Sequence, residues 1–188
     1  MKPKIVGGLF VLLAALSAGT LQARPLPAAL GQEEYLDAQD WFQAGLSLNG
    51  AGSYREAAEA FRRSLSINPE NPLAWLNLGT AQALSGSSAE AIDSLKQALR
   101  LDPKLALALA NLGEIYLKTG RFPEAIEAFD ALLALWPSNP DTHYQLGLAY
   151  LSLGDAAQAR AQYRALQALD PNLAARLLQA INQGKAHN

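Results

Sequence analysis

An all-α stack of like helix pairs is the fold this sequence predicts, and three series of residues predict it. Gly45, Gly79, Gly113 and Gly147 recur every 34 residues. The same period holds for Gly52, Gly86, Gly120 and Gly154, and again for Pro69, Pro103, Pro137 and Pro171. Glycine and proline are the strongest local structure breakers, so three series in one register mark physical boundaries. A fixed period of this length means a stack of repeated units. Ala106–Asn139 shows the unit clearly: a helical apolar pattern around Gly113, a stop at Gly120, a second helical pattern and a stop at Pro137.

Composition agrees with a packed fold. The chain has 188 residues, of which 50% are hydrophobic and 17% charged. That is enough apolar material for a core and excludes a solvated, disordered chain. There is no cysteine, which excludes disulfides, cysteine–zinc sites, a cysteine nucleophile and lipid attachment at a cysteine. The formal charge is −2 and no basic run occurs, which argues against nucleic acid as a partner.

Residues 1–23 lie outside the register. Lys2 and Lys4 precede the apolar run Ile5–Leu16, and small residues follow up to Ala23. This is the layout of a secretory signal peptide, cleaved after Ala23 or after Gly19. The rival reading is an uncleaved membrane anchor, because Ile5–Leu21 carries no charge and is near the minimum length for spanning. Both place the rest of the chain outside the cytoplasm, in the periplasm. Only the second leaves it attached to a membrane. Residues 24–37 form a linker and lead-in, beginning with the proline-rich Arg24–Pro27. Asp37 either caps the first helix or lies inside it.

Four units are expected, at 38–71, 72–105, 106–139 and 140–173. Within each, positions 1–14 form helix A and positions 18–31 helix B. Gly at position 15 supplies the left-handed residue that ends helix A. Ser53, Ser87 and Asp155 suit the start of helix B. Pro123 fits its first turn, where a missing N–H costs nothing. Pro at position 32 stops helix B. Asn71-Pro72 and Asn139-Pro140 pair a cap with a first-turn proline. Such short connections make successive helices antiparallel neighbours. A mid-helix Gly at position 8 costs about 1 kcal/mol relative to Ala. Its recurrence predicts close approach to the invariant position 20 (Ala57, Ala91, Ala125, Ala159). Residues 174–188 carry a capping helix and tail, the helix running about 173–183 with Asn172 as its cap and Leu173, Leu177, Leu178 and Ile181 on its apolar side.

These units resemble the tetratricopeptide repeat, W-x2-L-G-x2-Y…A-x3-F…P. The second unit carries Trp75, Leu78 and Gly79. The third carries Leu112, Gly113, Tyr116, Ala125, Phe129 and Pro137. The fourth carries Leu146, Gly147, Tyr150, Ala159, Tyr163 and Pro171. The departures are Ala44, Leu48, Gln82 and Leu95. The resemblance implies a right-handed solenoid of four helix-turn-helix repeats plus the capping helix. It also implies that the A helices line a concave groove.

Nothing in the pattern points to catalysis. His143 sits at position 4, otherwise Trp or Leu, and reads as a packing residue; His187 is in the tail. No HExxH, GxxxxGK[ST] or GxGxxG pattern lies in the repeats. The chain is therefore expected to be no enzyme and to need no cofactor or metal. Groove contacts in the family come from positions 2, 5, 6, 9, 12 and 13. Position 6 holds Gln43, Asn77, Asn111 and Gln145, a row of amides able to pair with an extended backbone, or to bond within the stack. Beside them are Phe42, Leu46, Leu73, Leu76, Leu107, Ala110, Tyr144, Leu148 and Leu151, with Glu114, Lys118 and Asp141 as the main charges. The family's clamp for a C-terminal carboxylate is not reproduced: Phe42, Leu46, Asn77, Leu107 and Asn111 occupy its places, and only Asn77 matches. The resemblance thus implies a scaffold that holds an extended or helical segment of another protein. It would serve an envelope assembly such as a secretion, pilus or polysaccharide-export machine. The competing readings are a self-associating homo-oligomer and an adaptor subunit of an envelope enzyme.

Overall fold

A computed structural model describes residues 37–185; the signal-or-anchor segment and most of the lead-in lie outside the described residues. The helices run α1 Ala38–Gly50, α2 Tyr54–Ile67, α3 Pro72–Leu84, α4 Ser88–Leu101, α5 Ala106–Lys118, α6 Phe122–Leu135, α7 Pro140–Ser152, α8 Ala156–Leu169 and α9 Pro171–Lys185. Each A helix ends one position earlier than its pattern suggested, and each B helix starts one position earlier. No strand occurs among the described residues. No helix among them is long and apolar enough to cross a membrane.

The punctuation acts as expected. Gly52, Gly86, Gly120 and Gly154 all adopt positive φ, the conformation that lets an A helix end and the chain reverse without a Cβ clash. Asp37 caps α1 by accepting from the backbone N–H groups of Gln39 and Asp40, while the Asp40 carboxylate accepts from the N–H of Asp37. Asn71 accepts from Leu73 and Ala74, and Asn139 from Thr142. Each cap satisfies donors that a helix start leaves orphaned. The B helices differ from expectation: Asp155 caps α8 through the Gln158 N–H, whereas Ser53 and Ser87 make no side-chain cap bond.

The last helix also starts elsewhere. Asp170, not Asn172, is its cap, accepting from the N–H groups of Asn172 and Leu173. With Pro171 at its first position, α9 follows α8 after a single residue. The other B-to-A connections, 68–71, 102–105 and 136–139, hold four residues each. Pro171 thus opens a helix, where its equivalents sit in the connection.

Three overlapping clusters form one continuous core. Ala57, Phe61, Leu65, Ala74 and Leu78 join the first two units. Leu76, Leu95, Leu112, Tyr116, Phe129 and Leu146 join the second to the fourth. Ala159, Leu166, Ala174, Leu177 and Ile181 seat α9 on the fourth. Trp75 packs against the first two clusters. The position-8 glycines face a different partner from the one expected. A Cβ built on Gly45 would lie 2.6 Å from Phe61, one on Gly79 2.7 Å from Leu95, and one on Gly113 would clash with the edge of the Phe129 ring. The close neighbour is the large residue at position 24, not the alanine at position 20, although a Cβ built on Gly79 would also lie 3.1 Å from the Ala91 carbonyl oxygen. In the fourth unit the neighbour changes again: a Cβ built on Gly147 would lie 2.5 Å from Leu177 of α9. The helix-propensity cost of each glycine is offset by letting a ring or leucine lie flat on its backbone.

One carboxylate sits against its environment. Partial burial raises the pKa of Asp130, and Asp130 in turn helps to raise that of Tyr150, whose main cause is its own burial. A folded pKa above the unfolded value gives a contribution present below the unfolded value and lost as pH rises through the folded one. Asp130→Asn should therefore melt higher than wild type at pH 7, the gap closing as pH falls below about 4. Melting curves at the two pH values check the sign.

Candidate interaction surface

The A helices place position 2 at their first turn and position 6 one turn later, so the two rows run side by side across the stack. The apolar row is open in the middle: Leu73 is 49% exposed and Leu107 61%. Leu84, at the far end of α3, is 54% exposed. Gln43, Glu114, Lys118 and Asp141 are exposed. Lys118 approaches Glu114 at 3.9 Å one helical turn away, a solvated pair worth little in stability.

Other residues expected on this surface are engaged elsewhere. Leu76 is 5% exposed and belongs to the central core, so it is a repeat-to-repeat contact. Phe42 and Leu46 pack on the first cluster, and the Phe42 ring meets Phe61 at 5.8 Å between centroids. Tyr144, Leu148 and Leu151 pack against the cluster that seats α9. The Arg176 guanidinium lies 4.8 Å over the Tyr144 ring. The fourth unit's share of the groove is thus largely covered by the chain's own last helix, and Ala110 is half-buried.

The amide row is not a uniform ladder. Asn77 donates through Nδ2 to the Leu73 carbonyl of its own helix at 2.8 Å. Asn111 donates through Nδ2 to the Thr80 hydroxyl of the preceding unit at 2.8 Å, and Thr80 donates on to the Leu76 carbonyl at 2.9 Å. The Asn111 bond ties one A helix to the next, whereas the Asn77 bond stays within α3. What the two asparagines offer outward is their amide oxygens, which accept hydrogen bonds.

His143 proves to be a structural stand-in. Trp75 donates from Nε1 to the Pro69 carbonyl at 2.8 Å, and His143 Nε2 makes the equivalent contact to the Pro137 carbonyl at 2.9 Å. Its Nδ1 lies 2.7 Å from the Gln162 side chain. A five-membered ring with a nitrogen at each side can replace the indole N–H at this register position. Among the described residues no group of His, Asp and Glu could hold a metal ion.

A tetratricopeptide repeat family model matches residues 42–106, 85–140 and 110–174, most of the chain. The chain belongs to the tetratricopeptide repeat family. Its fold is that of a protein-interaction scaffold, and members of the family are typically not catalytic. Similar solved structures are of the same kind. A crystal structure of MamA protein shares 26% identity over 84% of this chain and 85% of that one, with a TM-score of 0.74. A tetratricopeptide repeat protein from Parabacteroides merdae ATCC 43184 shares 21% over 80% and 60%, with a TM-score of 0.73. YrrB, described as a tetratricopeptide repeat protein with an unusual peptide-binding site, shares 23% over 76% and 74%, with a TM-score of 0.69. A comparison with curated proteins gives no match.

Several exposed apolar residues escaped the register argument. Ile67 and Trp136 are each 53% exposed near the B-to-A connections. Position 30 reads as core from its helical spacing, and Trp136 stands one residue before a proline that ends the pattern. No periodic signal marks either as surface.

Proposed function

We propose that this tetratricopeptide repeat protein is an exported, periplasmic scaffold that holds an extended or helical segment of a partner protein against α3 and α5. The carrying observation is the pair Leu73 and Leu107, two large apolar side chains held open on adjacent A helices. Leucines left in water at neighbouring register positions mark a binding surface. The Asn77 and Asn111 amide oxygens beside them can accept backbone N–H groups, so apolar burial supplies affinity and amides supply orientation. The basic, apolar and small-residue order of residues 1–23 supports export. The proposed setting is an envelope assembly such as a secretion, pilus or polysaccharide-export machine.

A photo-crosslinking residue at position 107, used in the native envelope, tests this reading. It should capture one partner, and Leu73→Asp with Leu107→Asp should lower that capture at least tenfold in a chain that melts like wild type. Both side chains are exposed, so the fold should survive. Equal capture by the double variant would overturn the reading, and capture of a second copy of the chain would replace it with self-association.

A further inference from the structure

We propose that Asn49 is a site of spontaneous deamidation, and that its conversion loosens the first unit from the second. The proposal does not depend on the Leu73–Leu107 surface. It begins with the residue that follows each asparagine. Asn68, Asn71 and Asn139 precede proline, whose nitrogen has no hydrogen to lose. Asn77, Asn111 and Asn172 precede leucine and Asn182 precedes glutamine, so a side chain flanks the backbone nitrogen. Asn49 precedes glycine, which leaves that nitrogen open to close approach.

The Asn49 side chain is also untethered. Asn71 and Asn139 accept from N–H groups at helix starts, and Asn77 and Asn111 donate from their amides. The Asn49 amide makes no hydrogen bond among the described residues, and its Oδ1 is buried without a partner. No bond has to break before this amide swings toward Gly50. Helical geometry keeps the Gly50 nitrogen away from Asn49 Cγ, so reaction waits for the last turn to open. Gly50 is the final residue of α1 and is exposed, and helix ends open more readily than helix centres.

Once the turn opens, the Gly50 nitrogen attacks Asn49 Cγ. An N–Cγ bond forms, the Cγ–Nδ2 bond breaks, and ammonia leaves carrying the proton from Gly50. Water then opens the five-membered imide at either carbonyl, giving aspartate or its β-linked isomer. No electrons are transferred. The product lands at a joint. Residue 49 is position 12, where Ala83 and Leu117 pack on the central core and Leu151 on the cluster that seats α9. A carboxylate there places charge where an amide oxygen already lacks a donor, which is costly. The β-linked form also lengthens the backbone of the turn by one carbon. The first unit is joined to the second by the cluster around Phe61 and Leu78, so that joint should loosen first.

Peptide mass spectrometry of the folded protein, aged in mildly alkaline buffer, tests the proposal. Conversion at Asn49 should run several-fold ahead of conversion at Asn182. Gly50→Ala should slow it many-fold, because a methyl group then shields the nitrogen. A Cβ at Gly50 meets no atom within 4 Å, so that variant should fold. Asn49→Asp supplies one product directly and should speed hydrogen exchange in α1 and α2 several-fold, while α5 and α6 keep their protection. Conversion at Asn49 no faster than at Asn182, or undiminished in Gly50→Ala, would overturn the site. Unchanged exchange in Asn49→Asp would overturn the loosening.

Discussion

Gly113→Leu should lower the stability of the repeat domain by about 3 kcal/mol, at or above the upper end of ordinary overpacking. For a domain of this size that is a fall of about 10 °C in melting midpoint. The reason lies in what the glycine touches. A Cβ there would clash with three carbons of the Phe129 ring, and Phe129 is itself 2% exposed in the central core. The ring has units packed on both sides and no space into which to turn. Relief would require α5 and α6 to separate, which would also disturb Asn111 and Leu107 on the outer side of α5. The leucine would gain helix propensity over glycine by less than about 1 kcal/mol, too little to compensate. A midpoint equal to wild type would refute the flat-ring packing described above.

Leu177→Ala should cost about 4 kcal/mol, toward the upper part of the range for buried leucines. Leu177 is fully buried and lies directly on Gly147. Its removal leaves a void against a residue with no side chain to move into it, so the site cannot collapse. A repeat stack is held by nearest-neighbour interfaces, so the loss should be felt first at one end. Hydrogen exchange should show α7, α8 and α9 losing protection while α3 to α6 keep most of theirs. Uniform loss along the chain would show that the α9 interface does not act locally.

The two glycines also show how far the repeat pattern could be read. Their period was visible without coordinates, because only glycine lets a helix surface come so close to its neighbour. The partner was not visible. Alanine at position 20 is as regular as the large residue at position 24, and periodicity cannot say which of two regular positions a backbone touches. Gly147 defeats the pattern for another reason. The helix that follows the fourth unit, α9, stands outside the register and becomes its neighbour. The same holds for the interaction surface. Positions 2, 5, 6 and 9 lie on one face of an A helix, but only contact with the next unit decides which are covered. Leu76 at position 5 is consumed in this way and Leu107 at position 2 is not. Tyr144 and Leu148 are covered because α9 arrives where another A helix would stand. The expectation of Asn172 as a cap failed because Pro171 was read as a terminator by analogy with its three equivalents.

The single-residue connection at Asp170 bears on how such a protein could lengthen. The three earlier connections let a copied unit join its predecessor without adjustment, so duplication within the first four units would keep register. Duplication across Asp170 would not. Three residues would be missing from the joint, and Leu177 would stand where a new unit must dock. A copied unit would therefore fit more readily among the first four than after Asp170.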